Sequence, residues 1–218
     1  MTNYVVDASS KIRANAIDAI GFGDLSPSLE KESNQTSTLL NPDIVEYKPF
    51  PLNSSHQTAE ELHAIKLVQA SIPDWHDGQQ KTKLDKDFLS IYTDYLDDLN
   101  LKYDLDYIKK TVQDLVPTIL QLKKKYNRAR PIQVASYHGV KIFTEPTYTA
   151  KTPAYPSGHS FQAKVIEIIL SKAHPDHINI FKSITDRISL ARIIRGLHYP
   201  SDIQFSYFIV NKYLSKKL

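Results

Sequence analysis

The feature that most restricts the fold is a three-to-four residue spacing of apolar side chains, which begins near Thr58 and returns along most of the chain. Leu62, Ile65 and Val68, with Ala64 and Leu67 beside them, mark one amphipathic helix. Leu84, Phe88, Ile91, Tyr92, Tyr95, Leu96 and Leu99 mark a second. Tyr107, Ile108, Val112, Leu115, Ile119 and Leu122 mark a third, which Pro117 should kink or split. Helical patterns resume at 158–172, 175–195 and 201–214. The only alternating piece is the short stretch 140–143, and no internal repeat is visible. The expected class is therefore all-α, a single-domain helical bundle over residues 56–218. Thr58 followed by Glu61 fits a capping box for the first of these helices.

Residues 1–55 read differently. Ser, Asn, Pro and Thr dominate from Leu25 to Ser55, so an extended or partly disordered segment is expected, with a short helix over 10–20. Such a segment is either a tail or a strap draped over the domain. Pro73 and Gly78 punctuate a loop after the first helix. The stretch 132–155 reads as a long Gly/Pro-punctuated loop, and long ordered loops in compact domains are often functional. Its aromatic and histidine side chains (Tyr137, His138, Phe143, Tyr148, Tyr155) either cover the bundle or line the mouth of a site.

Composition removes several function classes. The 27 Lys and Arg are interleaved with 24 Asp and Glu, leaving a formal charge of +3, so no nucleic-acid partner is expected. The chain has no cysteine, which excludes disulfides and thiolate metal sites. No run approaches the roughly 18 apolar residues of a spanning helix, and no basic-then-apolar leader is visible at the N-terminus. A cytoplasmic protein without a membrane span is expected, and a homo-oligomer is left open. Locally, acids concentrate at 85–106 and bases at 123–130.

Three short motifs carry chemistry. Lys123 and Arg130 lie seven apart, near one side of a helix that Pro131 should end, because the residue before a proline leaves the α region. Alone, the pair reads as surface cations. Pro156-Ser157-Gly158-His159 precedes a helical pattern, so Ser157 and Gly158 should occupy a helix start. Free N–H groups and the positive end of the helix dipole make an anion site there, with His159 beside it as a proton donor. Alone, this is also what a serine cap with an incidental histidine looks like. Arg192, His198 and Asp202 form the third. Arg192 shares a face with Phe181, Ile184 and Ile188, so it needs an anionic or hydrogen-bonding partner. Gly196 should end that helix, and Asp202, in the first turn of the next one, can fix the His198 tautomer. Together the motifs supply three cations, a helix N-terminus, two histidines and a carboxylate, which is the set that phosphoryl transfer requires.

In order and spacing these residues resemble the type 2 phosphatidic acid phosphatase superfamily, which includes bacterial class A acid phosphatases, lipid phosphatases and vanadium-dependent haloperoxidases. Its pattern K-x6-R-P, P-S-G-H, S-R-x5-H-x3-D is met by Lys123…Arg130-Pro131, Pro156-Ser157-Gly158-His159 and Ala191-Arg192…His198…Asp202. Ala191 stands where the pattern has serine. The resemblance covers residues 123–202, and residues 1–100 carry none. In size the class A acid phosphatases are the nearest comparison.

The resemblance implies a helical bundle and a metal-independent phosphatase. His198 would be the nucleophile that forms a phosphohistidine, Asp202 would orient it, and His159 would act as acid and then base. Lys123, Arg130, Arg192, Ser157 and the Gly158 amide would hold the phosphate. No cofactor is expected, and vanadate should act as an inhibitor. The expected substrate is a soluble small phosphate ester: a phosphomonoester, nucleotide or diphosphate. Two alternatives stand beside it: a haloperoxidase, in which vanadate is the cofactor of the same site, and a non-catalytic phosphate-binding or structural protein.

Overall fold

The computed structural model describes residues 8–71, 83–144, 147 and 150–218. Pro73, Gly78 and Tyr148, read above as loop residues, lie outside the described residues, as does the N-terminus through Asp7. The described residues form helices and no strand, so the all-α expectation holds.

In chain order the helices are α1 (Ala8–Asp18), α2 (Pro27–Ser33), α3 (His56–Ser71), α4 (Leu89–Asp98), α5 (Leu105–Asp114), α6 (Val116–Tyr126), α7 (Pro131–Val134), α8 (Gly158–Ala173), α9 (Ile178–Ile194) and α10 (Pro200–Ile209), which continues as a π turn (Val210–Leu214). The centre of the bundle is α8 against α9 and α10. A single 3-10 turn (Pro175–His177) links α8 to α9, and so short a connection returns the chain antiparallel beside itself. Phe161 and Val165 of α8 pack with Phe181 and Ile188 of α9, Phe205 and Ile209 of α10, Tyr92 and Leu96 of α4, and Leu122 of α6 in one apolar core. The buried Tyr92 hydroxyl lies 2.7 Å from Thr185 Oγ1, which meets the need of a buried phenol for a polar partner.

Pro117 splits the third helical pattern, as its missing N–H predicts. The chain bends at Leu115, and Pro117 falls in the first turn of α6, where no N–H bond is lost. Helix α6 does not run on to Pro131. It ends at Tyr126, because Asn127 adopts a left-handed conformation (φ 45°) and closes it with a bond to Lys123 O. Lys123 and Arg130 therefore do not share a helix face. Lys123 stands on the last turn of α6, and Arg130 follows in extended chain (φ −72°, ψ 154°).

Two further expectations are corrected. The cap of α3 is Ser55, whose Oγ accepts from Thr58 N at 3.2 Å. Thr58 turns its hydroxyl to Leu52 O, and Glu61 faces inward. The stretch 140–143 is not a strand. The Gln69 side chain takes the place of a partner strand there, accepting from Phe143 N at 2.9 Å and donating to Phe143 O at 2.6 Å.

Residues 8–55 run over the outside of the bundle. Asn53 donates to Ile17 O and Ile20 O. Asp114 at the end of α5 accepts from Ser37 Oγ, Thr38 N and Leu39 N. Leu40 and Val45 reach the main core. Gly21 bridges to Arg128, so this strap crosses directly behind the segment that carries Arg130. No helix among the described residues is long and apolar enough to cross a membrane.

Candidate active site

A cavity of about 250 Å³ opens at the N-terminus of α8, lined by Val116, Ile119, Leu120, Lys123, Arg130, Thr152, Gly158, His159, Gln162, Arg192 and His198. The three motifs therefore converge on one place. Five segments supply the walls: α6, the extended chain after it, the chain at Thr152, the start of α8, and the end of α9 with the turn that follows.

Each side chain is held by a local device. Ser157 caps α8, its Oγ 2.9 Å from Ser160 Oγ and accepting from Ser160 N, so its hydroxyl serves the helix and Gly158 presents the backbone to the cavity. A Cβ at 158 would meet Ile119 and Lys123 at 3.7 and 3.8 Å, projecting into the cavity wall. Helix α9 ends in a Schellman motif. Gly196 (φ 65°) donates to Ile193 O and Leu197 to Arg192 O. A Cβ at 196 would sit 2.3 Å from Phe143 O, so the position excludes any side chain twice over. This turn delivers His198. Pro200 then starts α10, and Asp202, at its third position, accepts from Tyr199 N at 2.9 Å.

The hydrogen bonds fix the histidine tautomer. Arg130 Nη1 lies 2.8 Å from His198 Nε2. A guanidinium only donates, so Nε2 carries the lone pair and Nδ1 carries the hydrogen. That hydrogen points at Asp202 Oδ2, 3.0 Å away. Arg130 is held in turn by Thr152 O at 2.9 Å and Leu197 O at 2.6 Å, and Lys123 Nζ donates to Pro153 O at 2.5 Å. On His159, Nε2 donates to Asp85 O at 2.9 Å, leaving Nδ1 as the remaining ring nitrogen. The Phe88 ring packs against it, with centroids 5.3 Å apart.

Charge is concentrated and buried. Lys123, Arg130, Arg192, His198 and Asp202 are each at most 5% exposed. Burial pushes His198 well below its ordinary value, and Arg130, Lys123 and Arg192 push it further. Burial and then Arg192 take His159 down to about 3. Burial and Arg130 hold Lys123 well below the usual lysine range. Asp202 is raised to about 6 by burial, against the pull of Arg128. The site thus holds two neutral imidazoles among cations, an arrangement that gains from an anion entering it.

Four residues of this region belong to none of the three motifs. Asp85 is the partner that Arg192 was expected to need, with Oδ1 2.6 Å from Nη1, and it also lies 3.3 Å from Arg195 Nη1. In the sequence it is one acid in an acid-rich stretch. Thr152 supplies the carbonyl that orients Arg130. Arg128 and Glu61 sit behind Asp202, with Arg128 Nη1 2.6 Å from Asp202 Oδ1 and Nη2 3.1 Å from Glu61 Oε2. A usable signal existed for Arg128. In extended chain, residues two apart share a face, and an R-x-R pair before a proline brings a second guanidinium beside Arg130. Among the described residues, no group of three or more His, Cys, Asp and Glu could hold a metal ion.

No family model matches the chain. It is 27% identical over 116 residues to an acid phosphatase of Zymomonas mobilis subsp. mobilis, covering 53% of this chain and 44% of that protein. It is 28% identical over 87 residues to the non-specific acid phosphatases of Salmonella typhimurium and Salmonella typhi, covering 40% of this chain and 34% of each of them. The chain therefore spans less than half the length of these curated relatives. The likeness is to phosphatases in general.

Proposed function

We propose that this chain is a metal-independent phosphoric-ester hydrolase of the class A acid phosphatase kind, working through a phosphohistidine on His198. The observation that carries this reading is the fixed tautomer: Nδ1–H on Asp202 and the Nε2 lone pair facing Arg130 in a cavity walled by Lys123, Arg130 and Arg192.

A phosphate ester entering the cavity takes Arg130 onto its oxygens, which frees Nε2. The Nε2 lone pair attacks phosphorus as the bond to the leaving oxygen breaks. Lys123, Arg130, Arg192 and the Gly158 N–H neutralise the charge on the equatorial oxygens. Asp202 stabilises the cation that forms on His198. The incoming phosphate raises the His159 pKa, and Nδ1 gives the leaving alkoxide its proton. The same nitrogen then takes a proton from water as the water oxygen attacks phosphorus and the P–N bond breaks, which returns His198 and inorganic phosphate. Val116, Ile119 and Leu120 face the leaving group, and the cavity suits a small phosphomonoester, with nucleotides and diphosphates entering only in part.

The test is hydrolysis of p-nitrophenyl phosphate by the full chain in the presence of excess EDTA. Activity that persists in EDTA and is competitively inhibited by vanadate, a five-coordinate mimic of the transition state, supports the reading. A chain that hydrolyses no phosphate ester in a broad panel contradicts it. Bromide oxidation with vanadate and peroxide in place of hydrolysis would indicate a haloperoxidase.

A further inference from the structure

We propose that Glu61 and Arg128 are positioning residues that extend the His198–Asp202 pair into a four-member buried chain, with Arg128 placing a cation and Glu61 an anion behind Asp202. Arg128 is the hinge of this chain. Its side chain is fully buried, and its fork spans two carboxylates, with Nη1 on Asp202 Oδ1 at 2.6 Å and Nη2 on Glu61 Oε2 at 3.1 Å. Its face lies on the Tyr199 ring, 3.8 Å from guanidinium carbon to centroid. Glu61 is not free to rotate away. Its Oε1 accepts from Ser201 N at 2.7 Å and its Oε2 from Ser201 Oγ at 2.9 Å, and the same Ser201 Oγ takes a bond from Arg128 Nη1 at 2.7 Å. Helix α3, the chain after α6 and the start of α10 are thereby locked behind the candidate nucleophile.

The groups facing Asp202 come from every neighbouring element: Glu61 from α3, Lys123 from α6, Arg128 and Arg130 after it, Tyr155 from the chain before α8, and His198 and Tyr199 before α10. Burial raises the Asp202 carboxyl, Arg128 lowers it, and Glu61, a second carboxylate behind the guanidinium, raises it again. An anionic Asp202 is what holds the Nδ1 hydrogen of His198 and steadies the cation formed on attack. The chain therefore decides how acidic the medium can become before the nucleophile loses its support. Its consequence for rate rests on the phosphatase reading; its geometry does not.

The experiment follows the Asp202 carboxyl carbon by NMR in protein labelled with ¹³C at aspartate Cγ, assigned by Asp202→Asn, in the wild type, Glu61→Gln and Arg128→Met. Glu61→Gln keeps the acceptor and loses the charge, so the Asp202 midpoint falls by about one pH unit. Arg128→Met raises it by at least as much. A merely structural role would not give shifts of opposite sign. The acid limb of kcat/KM for p-nitrophenyl phosphate should move with each midpoint, while KM in Glu61→Gln stays within about twofold, because Glu61 touches no substrate. Arg128→Met leaves two buried carboxylates facing each other, so where that variant does not fold, Glu61→Gln alone decides. An unmoved or raised midpoint in Glu61→Gln, or the same direction in both variants, overturns the proposal. The titration needs no substrate, so its failure is separate from a failure of the phosphatase reading, which the wild-type assay tests.

Discussion

Arg130 donates to His198 Nε2 across 2.8 Å, so the nitrogen proposed to attack phosphorus is capped by a cation proposed to bind phosphate. One interaction does two things. It fixes the tautomer before substrate arrives, and it keeps the lone pair occupied until a better acceptor draws the guanidinium away.

Removing that cation has a predicted cost and a predicted direction in pH. Arg130→Met should lower kcat by about a hundredfold or more, the usual loss when one donor to a developing oxyanion is removed. It should also move the acid limb of kcat/KM to higher pH, because Arg130 is the first of the charges that hold the His198 imidazole neutral. A pH profile of the variant beside the wild type checks both, and an unshifted limb would place Arg130 away from His198 in solution.

Anion binding should take up protons. Both histidines are held neutral by burial and by the cations around them, and a dianion brings the opposite charge to both. Sulfate carries no proton of its own between about pH 5 and 7. Calorimetric titration with sulfate in buffers of different ionisation enthalpy should therefore report net proton uptake in that range. Proton release would contradict the proposed electrostatics.

The same neutrality has a stability consequence. An imidazole in the unfolded chain titrates near 6.5, whereas His159 in the fold titrates at about 3. Between those values the unfolded state binds more protons, so this group's contribution is fully present above 6.5 and is lost as pH falls through the window. Asp202, raised to about 6 from 3.8, acts in the opposite sense over the middle of the same range. His159→Asn should remove only the first effect, so its melting temperature should fall less than that of the wild type between pH 6.5 and 4. Parallel curves would mean that His159 is not buried as a neutral group.

Asp85 places a carboxylate on the guanidinium proposed to bind phosphate, with Oδ1 2.6 Å from Arg192 Nη1. A phosphate dianion beside it meets like charge. Asp85→Asn keeps the shape and should tighten inorganic phosphate binding by about tenfold, the equivalent of one pKa unit of interaction. Weaker binding would show that orienting Arg192 matters more than the repulsion.

What the sequence made legible was what is written locally. Helical periodicity reports one face of one element, and it located the helices whose packing forms the core. The motifs were legible because Ser157-Gly158-His159 and His198…Asp202 each lie within one or two turns of chain, where cap and turn chemistry dictate geometry. Glu61 and Asp85 were not legible because their partners are far away in sequence, and Arg128 showed only through the R-x-R spacing before Pro131, which does not name its partners. Glu61 pairs with Arg128 and Ser201, and Asp85 with Arg192. Glu61 three residues after Thr58 mimicked a capping box, yet Ser55 takes the cap and releases Glu61 to the interior. Pro131 looked like the end of a helix that Asn127 had already closed.

The central claim is the covalent intermediate on His198. The most direct measurement is rapid mixing of the full chain with excess phosphate ester, an alkaline quench that preserves phosphohistidine, and mass spectrometry of the peptides. The account predicts one added phosphoryl group on His198 Nε2 in the wild type. It predicts none in His198→Ala, which keeps its fold and loses hydrolysis. Wild-type hydrolysis by His198→Ala, or a phosphoryl group trapped on another residue, would contradict it.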